Sequence, residues 1–239
     1  SNKVKKFYNS VMVRSNLVIA GSNFVFNHIH KHYGKLITSQ KRLLVIFRGI
    51  NTEYFDNSNI TNEKVKSFKS LVNFNTEKFK ILLPGRLTRW KGQEMFIESL
   101  KLLKTKYRKE NFQAIILGSH QGRSVYFKKL VSLIEKYNLK NNIFFLQHAK
   151  EMPVAYYISD VVVSSSIEPE AFGRISVEAQ AMRRPILASD HGGSKETIVN
   201  GKSGFLFENE KPEALAENLN KLMEMDKDKL QSIGNEGRK

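Results

Sequence analysis

The stretch FKILLPGRLTRWKGQEMFIESL, residues 79–100, decides the fold. It begins with an apolar run that ends at a Pro-Gly pair, continues through a short basic loop, and ends in a run whose apolar residues recur at helical spacing. A strand that is apolar on both faces is typical of a parallel sheet covered on both sides. The stretch therefore predicts one strand, one loop and one helix of an α/β fold.

The same alternation of short apolar runs and longer amphipathic runs continues to about residue 225. Runs such as 112–118 (FQAIILG) and 160–166 (DVVVSSS) predict strands, and the segments between them predict helices. Right-handed crossovers then give a Rossmann-like parallel sheet with helices on both faces. Ligands of such sheets bind beyond the carboxyl ends of the strands, so we expect the site residues in those loops.

The chain divides into three regions. Residues 1–55 contain two apolar runs, NLVIA (16–20) and LLVIF (43–47), around a helical stretch, and predict the terminal part of a preceding α/β domain. Residues 56–78 are rich in asparagine and serine and predict a linker with one short helix. Residues 79–239 predict the Rossmann-like domain itself.

Composition narrows the choice of function. The chain has 239 residues, no cysteine and no apolar run near 18 residues, which excludes disulfides, thiolate metal sites and a membrane-spanning helix. We expect a cytoplasmic protein.

The positive charge is concentrated near the start of the chain. Residues 1–50 hold nine Lys or Arg and no Asp or Glu, which favours a peripheral position at an anionic membrane surface. Drift in composition explains the net charge of +16 equally well. Nucleic acid is not an expected partner, because exposed aromatic residues do not alternate with the basic ones.

The loop after the first strand of the Rossmann-like domain carries two cations. Pro84 and Gly85 end the strand, and Arg86 and Lys91 precede the next helix. The first turn of a helix carries partial positive charge, so cations there are unfavourable unless an anion binds beside them. The loop therefore predicts an anion site, with simple exposure to solvent as the alternative.

A second loop precedes the helix in SSSIEPEAFGRISVEAQAM, residues 164–182. Gly173 opens this helix, so the backbone amides of Phe172, Gly173 and Arg174 are expected to be free to bind an anion. Helical spacing places Glu178 among apolar residues, where a carboxylate needs hydrogen-bond donors from the protein or from a ligand.

Glu170 and Glu178 are expected to lie well apart, with the anion site between them. The helix advances about 7.5 Å from Gly173 to Glu178, which does not suit the close carboxylate pair of a retaining glycosidase. The layout suits an elongated ligand with hydroxyl groups at both ends and phosphates in the middle, as in a nucleotide diphosphate sugar. A third loop, with Gly192 and Gly193, is a weaker sign of close ligand approach.

Together these loops resemble the nucleotide-binding half of a GT-B glycosyltransferase, specifically the retaining family 4, which belongs to glycosyltransferase group 1. Residues 170–178 (EAFGRISVE) resemble that family's Glu-x7-Glu motif, and residues 85–92 (GRLTRWKG) resemble its Gly-Arg-x4-Lys-Gly loop. Residues 190–207 resemble its Gly-Gly-x-x-Glu segment and the Gly-x-x-Gly that follows. The family has two Rossmann-like domains, and the resemblance places residues 1–55 at the end of the first and residues 79–239 in the C-terminal, donor-binding one.

The resemblance implies a role for each matching residue. Arg86 and Lys91 would bind the donor diphosphate and stabilise its charge as it leaves, Glu170 would bind the transferred sugar, and these three residues are the expected catalytic set. Glu178 would bind the ribose hydroxyls, and the base would lie near the loop after FFLQH (144–148). The implied donor-binding residues are Gly85, Arg86, Lys91, Glu170, Ala171, Phe172, Gly173, Arg174 and Glu178.

The implied reaction moves a hexose from a UDP- or GDP-sugar to an envelope glycan or a lipid acceptor such as lipopolysaccharide. No cofactor and no obligatory metal are expected, since no Asp-x-Asp follows a strand and HIHKHY places only His28 and His32 on one helix face. Another GT-B enzyme, such as a nucleotide-sugar epimerase, is one alternative. A nucleotide-sugar-binding module without turnover is the other.

One residue departs from the family pattern. Arg183 follows the helix that carries Glu178, where family members usually have a small residue, often glycine. If the position needs a positive φ, arginine destabilises the fold by roughly 1 kcal/mol. The alternative is that Arg183 adds a cation to the domain surface.

Overall fold

The fold is an α/β structure with two parallel sheets. The computed structural model describes residues 2–37, 42–72 and 74–239, in which a pair of short strands is followed by a six-stranded sheet. The strands are β1 (Val18–Ala20), β2 (Leu43–Val45), β3 (Phe79–Pro84), β4 (Phe112–Leu117), β5 (Ile143–Leu146), β6 (Val161–Ser164), β7 (Ile186–Ser189) and β8 (Phe205–Phe207).

Helices connect the successive strands of the larger sheet, as the alternation of the sequence predicts. In the described residues the α-helices are α1 (Asn2–Ser10), α2 (Asn23–Tyr33), α3 (Asn62–Lys69), α4 (Gln93–Thr105), α5 (Ser124–Lys136), α6 (Met152–Tyr157), α7 (Arg174–Ala181), α8 (Ser194–Thr197), α9 (Pro212–Glu224) and α10 (Lys227–Arg238).

The larger sheet has the strand order β5-β4-β3-β6-β7-β8, and every neighbouring pair is parallel. This confirms the predicted Rossmann-like sheet. The winding reverses at the centre, because β4 and β5 lie on one side of β3 whereas β7 and β8 lie beyond β6. The carboxyl ends of β3 and β6 therefore form the crevice in which ligands of this architecture bind.

The sheet is buried on both faces, which explains why its strands are apolar along most of their length. Leu83 of β3 belongs to one core cluster together with Phe96 of α4. The neighbouring Leu82 belongs to the cluster on the opposite face, together with Ala179 of α7. Full burial of each large side chain stabilises the fold by about 1.5–3 kcal/mol, so α4 and α7, the two helices that follow the crevice loops, are firmly anchored.

The smaller sheet lies within the first predicted region. β1 and β2 pair in parallel from Val18 with Leu43 to Ala20 with Val45, and α2 connects them. Both strands are shorter than the sequence predicts. β1 begins at Val18, two residues late, and β2 ends at Val45, after which Ile46 and Phe47 are exposed. The domain boundaries at residues 55 and 79 stay predictions.

Helix α10 corrects the sequence-based prediction, which has no regular element after residue 225. The side chain of Asp226 accepts a hydrogen bond from the backbone amide of Lys229 and so caps the helix. Leu230 and Ile233 are buried. A Cβ at Gly234 would lie 2.1 Å from the carbonyl oxygen of Arg183, so this glycine permits close packing of α10 against the end of α7.

Candidate active site

A cavity of about 740 Å³ opens beyond the carboxyl ends of β3 and β6. The loops after these two strands and the start of α7 contribute much of its surface. Every site residue predicted from the sequence lines this cavity: Gly85, Arg86, Lys91, Glu170, Ala171, Phe172, Gly173, Arg174 and Glu178. The fold therefore brings the two predicted loops, which are far apart in the sequence, to a single site.

The loop after β3 is positioned by the loop after β6. Gly92, just before α4, has a φ of 70°, and a Cβ there would lie 1.8 Å from the carbonyl oxygen of Ser165. Glycine meets both requirements because it has no Cβ. The hydroxyl of Ser165 donates a hydrogen bond to the carbonyl oxygen of Lys91 at 3.1 Å. These contacts place Lys91 next to the second loop.

Lys91 and Glu170 form an ion pair in the cavity. Their side chains are largely buried, with 13% and 16% of the surface exposed. The hydroxyl of Ser166 donates a hydrogen bond of 2.6 Å to the same carboxylate oxygen of Glu170. The sequence predicts both charged residues at the site, but it does not predict that they neutralise one another.

Arg86 lies in the same loop. A hydrogen bond fixes its backbone, whereas its side chain is available to bind a ligand. The amide group of Gln93 donates a hydrogen bond of 2.9 Å to the carbonyl oxygen of Arg86. No described residue forms a hydrogen bond or an ion pair with the guanidinium group of Arg86. Its five N–H donors are therefore free to bind an anion in the cavity.

The start of α7 adds backbone donors to the same site. Phe172, Gly173 and Arg174 line the cavity, and no described residue accepts a hydrogen bond from their backbone amides. The N-terminus of this eight-residue helix also carries partial positive charge. These amides and Arg86 together suit a phosphate group, and the binding of an anion between them stays a prediction.

Glu178 is buried near this turn, and its carboxylate has two protein partners. The hydroxyl of Tyr156 donates to Oε2 at 2.6 Å, and the guanidinium group of Arg174 donates to Oε1 at 2.9 Å through Nη2. Burial, followed by the nearby Glu178 carboxylate, raises the pKa of Tyr156, so this hydroxyl remains a donor. The hydrogen bond to Glu178 raises the pKa of Arg174.

Tyr156 is a site residue that the sequence does not reveal. Helical spacing shows that Glu178 needs donors, but Tyr156 lies on α6, in another segment of the chain. The two residues meet only because α6 and α7 pack on the same face of the sheet. The available signal is a tyrosine in a short helix just before a central strand, and this pattern is too common to single out one residue.

The loop after β7 supports the site from outside the cavity. The backbone amide of Gly193 donates to the carbonyl oxygen of Glu170 at 2.7 Å, and the ring of His191 pairs with the carbonyl oxygen of Ser166 at 2.7 Å. Gly192 and Gly193 do not line the cavity. The double glycine therefore allows close packing against the second loop, whereas the sequence suggests approach to a ligand.

Residues from the first region also reach the site. The hydroxyl of Ser22 donates to the carbonyl oxygen of Ala171. The carboxylate of Glu196 accepts hydrogen bonds from the backbone amides of Asn23 at 2.8 Å and Phe24 at 2.5 Å. Glu196, on α8, thus caps the start of α2. The side chain of Arg48 adds a further cation to the cavity wall.

A profile of the family described as Glycosyl transferases group 1 matches residues 65–239, which include the whole larger sheet and every predicted site residue. This chain belongs to that family. The resemblance drawn from the sequence is thereby confirmed for glycosyltransferase group 1, and assignment to its retaining family 4 stays a prediction.

Relatives of known name and structure agree with this assignment to glycosyltransferase group 1. The capsular polysaccharide biosynthesis glycosyltransferase CapM of Staphylococcus aureus is 27% identical over 212 residues, which are 88% of this chain and 53% of CapM. The crystal structure of a glycosyltransferase from Rickettsia africae ESF-5 matches with a TM-score of 0.87 and 33% identity, over 100% of this chain and 61% of that one. Anabaena Alr3699/HepE in complex with UDP and glucose matches with a TM-score of 0.82 and 26% identity, over 94% of this chain and 57% of that one. This chain spans about half the length of the curated relatives it matches.

Two other expectations from the sequence concern metal binding and membrane-spanning helices. The rings of His28 and His32 lie 4.5 Å apart on α2, and the described residues contain no group of three or more His, Asp or Glu side chains that could bind a metal ion. Among the helices that the structure describes, none combines the length and the apolar character needed to cross a bilayer.

Proposed function

We propose that this chain carries the donor site of a retaining glycosyltransferase of family 4 that moves a hexose from a UDP- or GDP-sugar to an envelope glycan or a lipid acceptor such as lipopolysaccharide. One observation carries the proposal: unpaired Arg86, the free amides at the start of α7 and the carboxylates of Glu170 and Glu178 line one cavity. A nucleotide diphosphate sugar has phosphates in the middle and hydroxyl groups at both ends. Its charge and hydrogen-bonding groups therefore match those of the cavity.

The proposed transfer breaks the bond between the anomeric carbon and a diphosphate oxygen, which leaves with the electron pair. Arg86, Lys91 and the amides of residues 172–174 would stabilise the negative charge on that oxygen, as fixed donors do in an oxyanion site. The acceptor hydroxyl forms the new bond on the same face and gives its proton to the departing diphosphate, so the anomeric configuration is retained. Side-chain cations supply the neutralising charge, and the proposal therefore includes no obligatory metal.

The two carboxylates are assigned to the two ends of the donor. Glu170, beside Lys91, would bind hydroxyls of the transferred sugar, and Glu178 would bind the ribose. Gln147, His148 and Met152 line the cavity together with Tyr156, and we assign the base to this wall. The structure of HepE with UDP and glucose supports UDP-sugars as the first donors to test.

The acceptor is assigned from the name of a relative, and the location is assigned from the charge of the chain. The name of CapM, from capsular polysaccharide biosynthesis, supports an envelope glycan as the acceptor. The nine cations of residues 1–50 support a cytoplasmic enzyme that associates with the anionic inner surface of the membrane. The protein should sediment with vesicles of anionic phospholipid at low salt and be released from them at high salt. It should not sediment with neutral vesicles.

The phosphate assignment can be tested with two arginines of one loop. Arg86→Ala should weaken the affinity for UDP or GDP about tenfold or more, because a lost hydrogen bond between charged groups is worth about 1.5–3 kcal/mol. Arg89→Ala is the matched control, since Arg89 is exposed in the same loop and does not line the cavity. Isothermal titration calorimetry of both variants gives the comparison.

Two results would contradict the proposal. Wild-type protein that binds neither UDP nor GDP would remove its basis, and equal losses in the two arginine variants would show that the loop merely adds general positive charge. Hexose release from the donor, measured on the binding-competent protein, then separates a transferase from a module that only binds.

A further inference from the structure

Tyr156 lies where the core of the sheet meets the cavity. Its side chain is fully buried, and its ring packs edge-on against Phe55 with the ring centroids 6.0 Å apart. Tyr156 also borders the cavity, and its hydroxyl donates its hydrogen bond to Oε2 of Glu178. A ring that is enclosed on all sides has few alternative rotamers, so the position of this donor is fixed by packing.

The other oxygen of Glu178 has a different kind of partner. Arg174 donates to Oε1, but its side chain is 69% exposed, whereas that of Glu178 is 7% exposed. An exposed arginine has many accessible rotamers and loses entropy when it is held in one of them. Of the two donors, the buried tyrosine therefore has the greater influence on the direction in which the carboxylate points.

We infer that Tyr156 is a positioning residue: by holding Oε2 of Glu178 it aims the remaining lone pair of that oxygen at the ribose hydroxyls of the donor. The inference rests on the proposed function, since it takes the ribose to bind at Glu178. An ionised carboxylate accepts about four hydrogen bonds. Tyr156 donates one to Oε2, and Arg174 donates two to Oε1, through Nε at 3.2 Å and Nη2 at 2.9 Å, which leaves one acceptor position, on Oε2, for a ribose hydroxyl. A site built in this way discriminates against a nucleotide that lacks those hydroxyls.

The test compares nucleotides that differ only in their ribose hydroxyls. The dissociation constants of UDP, GDP and their 2′,3′-dideoxy analogues are measured by calorimetry for wild type, Tyr156→Phe and Tyr157→Phe. Tyr157 is the matched control, because it is the next residue of α6, is 37% exposed and does not line the cavity. The readout is the ratio of the affinity for each ribonucleotide to the affinity for its dideoxy analogue. A general loss of stability or of phosphate binding weakens both affinities equally and so leaves this ratio unchanged.

In wild type and Tyr157→Phe, the dideoxy analogue of the preferred nucleotide should bind about tenfold more weakly or worse. In Tyr156→Phe the ratio should fall to within about threefold. An unchanged ratio in Tyr156→Phe overturns the inference and leaves the proposed function in place. Failure of wild type to bind either nucleotide overturns both.

A second variant keeps the test decisive if Tyr156→Phe does not fold. Arg174→Met changes an exposed side chain and removes the donor to the other oxygen of Glu178. If Tyr156 holds the carboxylate, the logarithm of the affinity ratio in this variant should be at least half of the wild-type value, even if the affinity for both nucleotides falls. Complete loss of the ratio in Arg174→Met would show that the arginine, and not the tyrosine, positions Glu178.

Discussion

Arg183 shows how one residue can depart from a family preference at a cost in backbone energy. It follows α7 with a φ of 53°, the left-handed region in which glycine is favoured. The positive φ that the sequence analysis considered is therefore present. The side chain reaches Oδ1 of Asn235 on α10 at 3.4 Å, a long contact that offsets little of the strain.

Replacement of Arg183 should reveal this strain. Arg183→Gly should have a free energy of unfolding about 1 kcal/mol higher than Arg183→Ala, because both lose the side-chain contact and glycine alone adopts the positive φ without strain. Denaturation in urea measures the difference, with Arg183→Ala as the reference. Equal stability of the two variants would show that the local backbone is not strained.

The residues of the site differ in how far the sequence reveals them. Glu178 can be predicted because its position on an apolar helix face is a local property of the sequence. Arg86 and Lys91 can be predicted because two cations before a helix are unfavourable without an anion. Tyr156 and the capping of α2 by Glu196 cannot, since each depends on a contact between segments whose approach is set by the whole sheet.

At the scale of elements, the contrast between β3 and α10 explains which parts of the fold are predictable. Strand β3 is buried on both faces, so its apolar run stands out from the flanking loops. Helix α10 presents few apolar residues, chiefly Leu230 and Ile233, and contains glycines that normally disfavour a helix. Its stability comes from packing against α7, where the absence of a side chain at Gly234 is an advantage that local propensity does not show.

The packing of α10 can be tested at that glycine. Gly234→Ala should lower the free energy of unfolding by about 1–3 kcal/mol, the usual range for overpacking, despite the better helix propensity of alanine. The reason is the backbone oxygen of Arg183, which lies 2.1 Å from the added Cβ and cannot move without shifting the end of α7.

The control for Gly234→Ala is Gly49→Ala, where an added Cβ has no atom within 4 Å. Thermal and chemical denaturation of the two variants provide the comparison. A gain in stability for Gly234→Ala would mean that helix propensity dominates and that α10 packs more loosely against α7.

At the scale of the whole molecule, the smaller sheet is tied to the proposed donor site at the start of α2. Ser22 binds the backbone of Ala171, and Glu196 caps the same helix start from α8. Ala171 belongs to the loop after β6 and lines the cavity. The position of the first region is therefore coupled to this loop, which also carries Glu170.

Loss of the Glu196 cap should loosen this connection selectively. Glu196→Ala should destabilise α2 by about 1 kcal/mol, the typical effect of a lost helix cap. Hydrogen exchange followed by mass spectrometry should show faster exchange in residues 18–33 and unchanged exchange in β3 and β4. Glu208→Ala, which removes an exposed carboxylate, is the control. Uniform acceleration across the chain would contradict a local link.

In the ion pair with Glu170, the positive charge of Lys91 is neutralised by a protein carboxylate. On the proposed assignment, a nucleoside diphosphate that binds Lys91 separates the lysine from Glu170 and leaves a largely buried carboxylate without its cation, which lowers the free energy gained from that contact. A complete nucleotide sugar also carries sugar hydroxyls, which donate hydrogen bonds to Glu170 when Lys91 binds the phosphates. The nucleoside diphosphate product has no sugar hydroxyls to donate to Glu170. The ion pair of Lys91 with Glu170 would therefore favour binding of the donor over binding of the product, and so limit product inhibition.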